Sequence, residues 1–203
     1  KFGIKKKLVA LHDHNEEEII KNYIDKIKLK PVALISDAGS PLISDPGYKI
    51  VKYCVKENIF ITTIPGASSI ISALQLSGLP INEFVFFGFA PKNKKKLLDF
   101  LNRISSEQKT SILFVSNHKI IQILELFIKI LPNRIISVCK EITKINERVF
   151  RGSPIKVFKE ISSSSKYLLG EFVIIVDREK NTKDIEKKHI NIEFEKIIRS
   201  LLS

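Results

Sequence analysis

Apolar and polar positions along this chain fall into two textures. Val32-Ala33-Leu34-Ile35 is a purely apolar run, followed at once by Ser36-Asp37-Ala38-Gly39-Ser40-Pro41 and then by Ile50, Val51, Cys54 and Val55 at helical spacing. That succession predicts a buried strand, a tight turn and a helix. It recurs one unit later: "IFITTIPGASS" predicts a strand and turn, and "SSIISALQLSG" a helix that stops at Gly78, with Pro80 just beyond. Strand, helix, strand, helix implies a parallel, doubly wound sheet. Upstream, "LVAL" reads as a short strand and "EEEIIKNYIDKI" as a helix.

From Phe84 the texture changes. "EFVFFGFAP" and "TSILFVSN" predict strands separated by the Lys-rich helix "KNKKKLLDFLNRIS", and "HKIIQILELFIKIL" a strongly apolar helix. "RIISVCKEIT", "ERVFRGSP" and "GEFVIIVDR" predict three more strands, with only "IKVFKEIS" as a helix between the last two. Many strands with few crossovers imply a mixed sheet of α+β character. The expected organisation is an α/β domain over residues 1–79, an α+β domain over 80–178 with its boundary at "SGLPIN", and a charged linker with a terminal amphipathic helix over 179–203.

Composition sharpens this in three ways. With 203 residues, 44% apolar and 28% charged, the chain is expected to be globular, with a sizeable core. No apolar run approaches the roughly 20 residues of a membrane span, and the start lacks the pattern of a secretory signal, so a cytoplasmic protein is expected. Thirty-four Lys and Arg against 22 Asp and Glu leave +12, which favours a polyanionic partner. An AT-rich genome would also produce part of that excess. Cys54 and Cys139 have no C-x-x-C spacing and read as core thiols.

The turns carry the candidate chemistry. Asp45 followed by Pro46 suits a helix start, the carboxylate accepting from first-turn N–H groups. Asp37 to Pro41 sits where the first strand ends, and in open α/β sheets ligands dock outside the carboxyl ends of strands. "IPGASS", Ile64 to Ser69, repeats the arrangement. Two small-residue loops at one sheet edge let backbone groups approach a nucleotide-like ligand closely; plain tight turns would leave the same pattern. Neither G-x-G-x-x-G nor G-x-x-x-x-G-K-[ST] occurs.

"ALHDHNE", "VALISDAGSPLISDPGYKIV", "IPGASSIISALQLSGLP", "FVFFGFAPK", "KEITKINERVFRG" and "GEFVIIV" stand in this order between Leu8 and Val176. In these motifs the chain resembles the ribosomal RNA small subunit methyltransferase I family, a branch of the tetrapyrrole methylase superfamily. The resemblance implies a two-domain tetrapyrrole methylase-like fold and S-adenosyl-L-methionine as cofactor. It also implies methylation of the ribose 2'-hydroxyl of a cytidine in 16S rRNA of the small ribosomal subunit, and a homodimer. By motif, Asp37, Ala38, Gly39, Ser40 and Pro41 and Pro65, Gly66, Ala67, Ser68 and Ser69 look like cofactor-binding loops, and Phe89, in Gly88-Phe89-Ala90-Pro91, looks like the strand end beside them. In the family another strand, a Pro-x-Gly-Asn loop and an acidic Glu-Asp-Thr-Arg segment come upstream of Lys1, so the first domain is expected to be incomplete at its start. Val115 and Lys119 replace the family's acidic residue and Arg; Lys keeps the charge without the bidentate fork.

Transfer of a methyl group to a ribose hydroxyl needs near-attack geometry and is helped by a base or a stabiliser of the developing alkoxide. The candidate catalytic residues are Glu141, Lys144 and His14. "KEITK" with Glu147 and Arg148 alternates direction if it is one strand, so a solvated ion-pair ladder is the competing reading. In His12-Asp13-His14-Asn15-Glu16, the residues Asp13, Asn15 and Glu16 are candidates for capping the loop or contacting RNA, and Asp13 or Asn15 could equally cap the following helix. No further Cys or His cluster supports a metal. Lys92, Lys94, Lys95 and Lys96 are candidate RNA-phosphate contacts, or a solvated helix start. A precorrin-type small-molecule methyltransferase and a non-catalytic rRNA-binding protein are the alternatives.

Overall fold

The computed structural model describes Gly3 and residues 5–178. The expected linker and terminal helix over 179–203 lie outside the described residues. The chain divides into two compact units, one ending at Ser69 and the other starting at Ile70, whereas the sequence places a boundary at "SGLPIN".

The first unit is built on helices α1 (Glu16–Leu29) and α2 (Tyr48–Lys56). A buried carboxylate links them: Glu16, 3% exposed, accepts from the backbone N–H of Gly47 and of Lys49, both at 2.7 Å. Glu16 thereby satisfies first-turn donors of α2, which a helix cannot satisfy itself. Asp45 does not perform this task; the N-cap is Gly47, at φ +127, with no side-chain cap of its own. A β-carbon there would lie 2.7 Å from Leu34 Cδ2, a methyl that would have to shift, and the positive φ strains any side chain at that position.

Residues 8–11, 32–35 and 59–64 form no strand, and the parallel sheet expected from them is not formed among the described residues. Val32, Ile35, Phe60 and Ile64 are 63%, 70%, 88% and 90% exposed. The apolar runs carry the preference for a buried sheet, but a strand exists only where a neighbour supplies the N–H and C=O ladder.

The second unit takes in α3 (Ser69–Ser77) from Ile70 onward and contains all five strands described: β1 (Phe84–Phe89), β2 (Thr110–Ser116), β3 (Ile136–Lys140), β4 (Arg148–Gly152) and β5 (Glu171–Val176). Helices α4 (Lys94–Ser105), α5 (Ile120–Ile130) and α6 (Pro154–Ser162) complete it. The sheet order is β1-β2-β5-β3-β4; β1 and β2 are parallel and every other pair is antiparallel. This is the mixed sheet the strand-rich texture predicts.

Alternation along the strands sorts the core into two faces. Leu113, Val115, Val138, Phe172 and Ile174 pack with apolar residues of α4, α5 and α6. Ile112, Cys139, Val173 and Ile175 pack with Ile70, Ala73 and Leu74 of α3. Both cysteines are free and buried, and burial pushes the Cys139 thiol up to about 11. The end of α3 is held by Arg151 of β4, whose Nε donates to Leu76 O at 3.1 Å and to Ser77 O at 3.3 Å.

β1 carries a bulge. Phe86 pairs with Ile112 and Phe89 with Phe114, so three steps on β1 match two on β2. Gly88, at φ +74, takes up the extra residue in a conformation that side chains resist. Phe86 and Phe89 consequently both meet the Phe114 ring, at centroid distances of 5.0 and 5.1 Å.

Candidate functional site

The two small-residue loops of the first unit are tied together. Ser40 Oγ donates to Ala67 O at 3.2 Å, joining the loop of Asp37, Ala38, Gly39, Ser40 and Pro41 to that of Pro65, Gly66, Ala67, Ser68 and Ser69. Within the first loop Ser36 Oγ donates to Gly39 O at 2.9 Å, and Gly39, Leu42 and Ser44 are all left-handed. Backbone of this kind persists only where its surroundings fix it, and it clusters at ligand sites. A β-carbon on Gly39 would meet nothing within 4 Å, and Asp37, Ala38, Gly39, Pro65, Gly66 and Ala67 are all exposed. The arrangement offers open backbone polar groups and one free carboxylate to a polar ligand.

Asn15 and His14 lie in the same unit. Asn15 is the N-cap residue of α1, but its side chain serves the preceding loop: Oδ1 accepts from His12 N–H at 2.9 Å and Nδ2 donates to Ala10 O at 3.0 Å. His14 is exposed, its ring 6.1 Å from that of His12. Among the described residues no group of three His, Cys, Asp or Glu side chains could hold a metal ion.

In the second unit the chain leaves β3 through Lys140 and breaks direction at Glu141 (φ +50) and Thr143 (φ +65). Strand alternation therefore ends at Lys140, and Glu141 and Lys144 come together. Lys144 Nζ donates to Glu141 Oε1 at 3.0 Å and to Glu171 Oε2 at 2.9 Å. Glu171 N–H donates to Glu141 Oε1 at 2.9 Å, and Glu141 N–H to Glu171 O at 3.0 Å. The Glu171 N–H first, and Lys144 second, hold the Glu141 carboxyl below the usual carboxylate range. Glu171 and then Glu141 hold the Lys144 ammonium above its usual range. Thr143 N–H donates to Glu147 Oε2 at 2.6 Å, closing the turn. The result is a fixed, positively charged Lys144 between two carboxylates.

Phe89 ends β1 and is 60% exposed beside Phe114. Lys92, Lys94, Lys95 and Lys96 are exposed around the start of α4, whose N-cap Asn93 accepts from Lys96 N–H at 3.2 Å. Lys119 spans to this segment, its Nζ donating to Pro91 O.

Sequence reasoning singled out Glu16 as a capping or RNA-contact candidate without finding that it caps α2, and it did not find Glu171. The first motif ends at "NE", so an acidic residue opening a helix was visible; its use on a different helix was not. Glu171 meets Glu141 because β5 lies between β2 and β3, which no local pattern reports.

The profile of the Tetrapyrrole (Corrin/Porphyrin) Methylases family matches residues 2–154. The ribosomal RNA small subunit methyltransferase I of Halalkalibacterium halodurans is 38% identical over 190 residues, covering 93% of this chain and 64% of its own length. That of Xylella fastidiosa is 40% identical over 177 residues, covering 86% and 65%. The chain thus spans just under two thirds of the length of both. Among solved structures, diphthine synthase superposes with a TM-score of 0.60 at 17% identity, over 89% of this chain and 73% of its own. The chain belongs to the tetrapyrrole methylase family, in its ribosomal RNA small subunit methyltransferase I branch.

Proposed function

We propose that this chain is an S-adenosyl-L-methionine-dependent methyltransferase that 2'-O-methylates the ribose of a cytidine in 16S rRNA, acting in the cytoplasm on the small ribosomal subunit as a homodimer. The observation that carries the reading is the pairing of two small-residue loops through Ser40 and Ala67, in a chain 38% identical to a protein named for this class of reaction. Proteins of this family use S-adenosyl-L-methionine, and the loops fit such a group. Their exposed backbone donors and acceptors suit its polar parts, Gly39 leaves open space, and the Asp37 carboxylate can accept from a hydroxyl or ammonium. Bound there, the cofactor would supply an electrophilic methyl group on a sulfonium.

The remaining chemistry falls to the protein. Lys144, kept protonated by Glu171 and Glu141, would stabilise negative charge developing on the ribose oxygen. Glu141, held ionised and already accepting two hydrogen bonds, is suited to position Lys144 rather than to take the proton. His14 is the remaining candidate base, imidazole being the commonest group in that role. The exposed Lys92, Lys94, Lys95 and Lys96, with Asn15, would meet RNA; the +12 charge suits a polyanion. Shape recognition of folded RNA requires no short binding signature.

The test is transfer of labelled methyl groups to undermethylated small subunits, with a porphyrinogen substrate in parallel. Label in RNA supports the proposal. Label in the porphyrinogen alone would favour a small-molecule enzyme, and subunit binding without transfer would favour a non-catalytic rRNA-binding protein.

A further inference from the structure

At the end of β3 a buried cation has no hydrogen-bonded or ion-paired partner among the described residues, and its charge reaches the neighbouring Glu141 carboxylate only through space. Lys140 is 4% exposed, and among the described residues no hydrogen bond or ion pair engages its ammonium. An enclosed ammonium without a partner is costly. The Lys140 ammonium is not completely sealed: among the described residues Ser111 Oγ is the one fully enclosed side-chain polar atom without a partner. Lys140 lines a cleft of about 360 Å³ together with Glu141, Asn146, Lys166, Leu169 and Gly170.

The surroundings add positive charge. Lys140 stands directly opposite Arg148 in the antiparallel β3–β4 register, where like charges facing each other destabilise a pair. The Arg148 guanidinium is held 4.6 Å from the Tyr167 ring centroid, and Lys166 lies on the cleft wall. The one carboxylate on that wall, Glu141, has Oε1 committed to Glu171 N–H and Lys144.

We propose that this cleft binds a phosphate oxyanion through the ammonium groups of Lys140 and Lys166 and the side-chain amide of Asn146, and that the phosphate belongs to the RNA backbone. The RNA assignment rests on the methyltransferase reading; the oxyanion chemistry does not. A phosphate oxygen accepts only, and Lys and amide N–H groups donate, so the cleft offers what that ligand lacks.

The test is filter binding of 16S rRNA transcripts across a salt series, without cofactor, using the full chain and its Lys140→Gln, Lys166→Gln and Lys129→Gln variants. Lys129 is exposed at the end of α5, outside the cleft. Lys140→Gln and Lys166→Gln should each weaken binding by roughly tenfold or more. Each should also flatten the slope of log affinity against log salt by about one phosphate contact, with Lys129→Gln close to the parent. Thermal stabilisation by inorganic pyrophosphate, measured on the same proteins, separates the sources. Stabilisation lost in both cleft variants with an unchanged RNA slope would overturn the RNA assignment and keep the oxyanion site. No stabilisation and no change of slope would overturn the site itself. Should Lys140→Gln fail to fold, the exposed Lys166 carries the test. Because methyl transfer is not read, loss of the slope in a chain that transfers no methyl group would count against the proposed reaction and for the cleft.

Discussion

Gly170→Ala probes the Glu141–Lys144 arrangement from outside it. Gly170 has φ +102, and a β-carbon there would lie 2.6 Å from Glu141 Cδ and Cγ and 2.7 Å from Oε1. Two costs follow. The backbone conformation strains any side chain by about 1–3 kcal/mol. The Glu141 carboxylate, a flexible side-chain end, must swing away, and it then loses its hydrogen bonds from Glu171 N–H and Lys144. These are surface-facing interactions, so about 1 kcal/mol for the pair is a discounted figure. The sum is about 2–4 kcal/mol. A double-mutant cycle separates the parts: in a Glu141→Ala background only the backbone strain remains, so the two substitutions should couple by about 1 kcal/mol. Urea unfolding followed by far-UV circular dichroism measures it. Methyl transfer should fall in the single variant, since Lys144 loses one of its two anchors. Strict additivity of the two substitutions, with normal turnover in Gly170→Ala, would refute the claim that this contact positions Lys144.

Other outcomes follow from the same contacts. Glu16→Ala strips the charged acceptor from two backbone N–H groups of α2 and should destabilise the first unit by about 3 kcal/mol, with faster hydrogen exchange at Gly47 and Lys49; unchanged exchange would contradict the capping role. Glu141 has a lowered pKa, so its contribution is present above the ordinary value of 4.5 and lost as pH falls through the lowered one. Lys144 has a raised pKa, so its contribution is present below 10.5 and lost as pH rises through the raised one. Stability measured against pH should therefore drop at both ends of that window, and Glu141→Gln should weaken the acid limb. Ser40→Ala releases the two small-residue loops from each other and should weaken S-adenosyl-L-methionine binding several-fold by calorimetry, leaving RNA affinity unchanged.

How much of this was readable in advance differs between the two units. In the second unit the strands at Phe84, Thr110, Ile136, Arg148 and Glu171 fall where the apolar runs predict them, because each has a hydrogen-bonded neighbour and its alternation is converted into two packed faces. In the first unit Val32 and Ile35 carry the same apolar preference and stay exposed; composition states what a segment prefers to bury and says nothing of whether a partner strand is present. The cap on α2 shows a second limit. Asp45-Pro46 has the local signature of a helix start, yet the task falls to Glu16, 31 positions from Gly47. The Glu141–Lys144 contact was legible as a motif but not as geometry: the alternation rule sends the two residues to opposite faces, and only the left-handed turn at Glu141 and Thr143 brings them together. Its third member, Glu171, depends on the order of strands in the sheet.

The most direct measurement is nucleoside analysis of 16S rRNA from undermethylated small subunits after incubation with this chain and labelled S-adenosyl-L-methionine. The expected result is label in 2'-O-methylcytidine at a single position. Label in a base rather than a ribose, or no label from a chain that binds both subunit and cofactor, would contradict the assigned reaction.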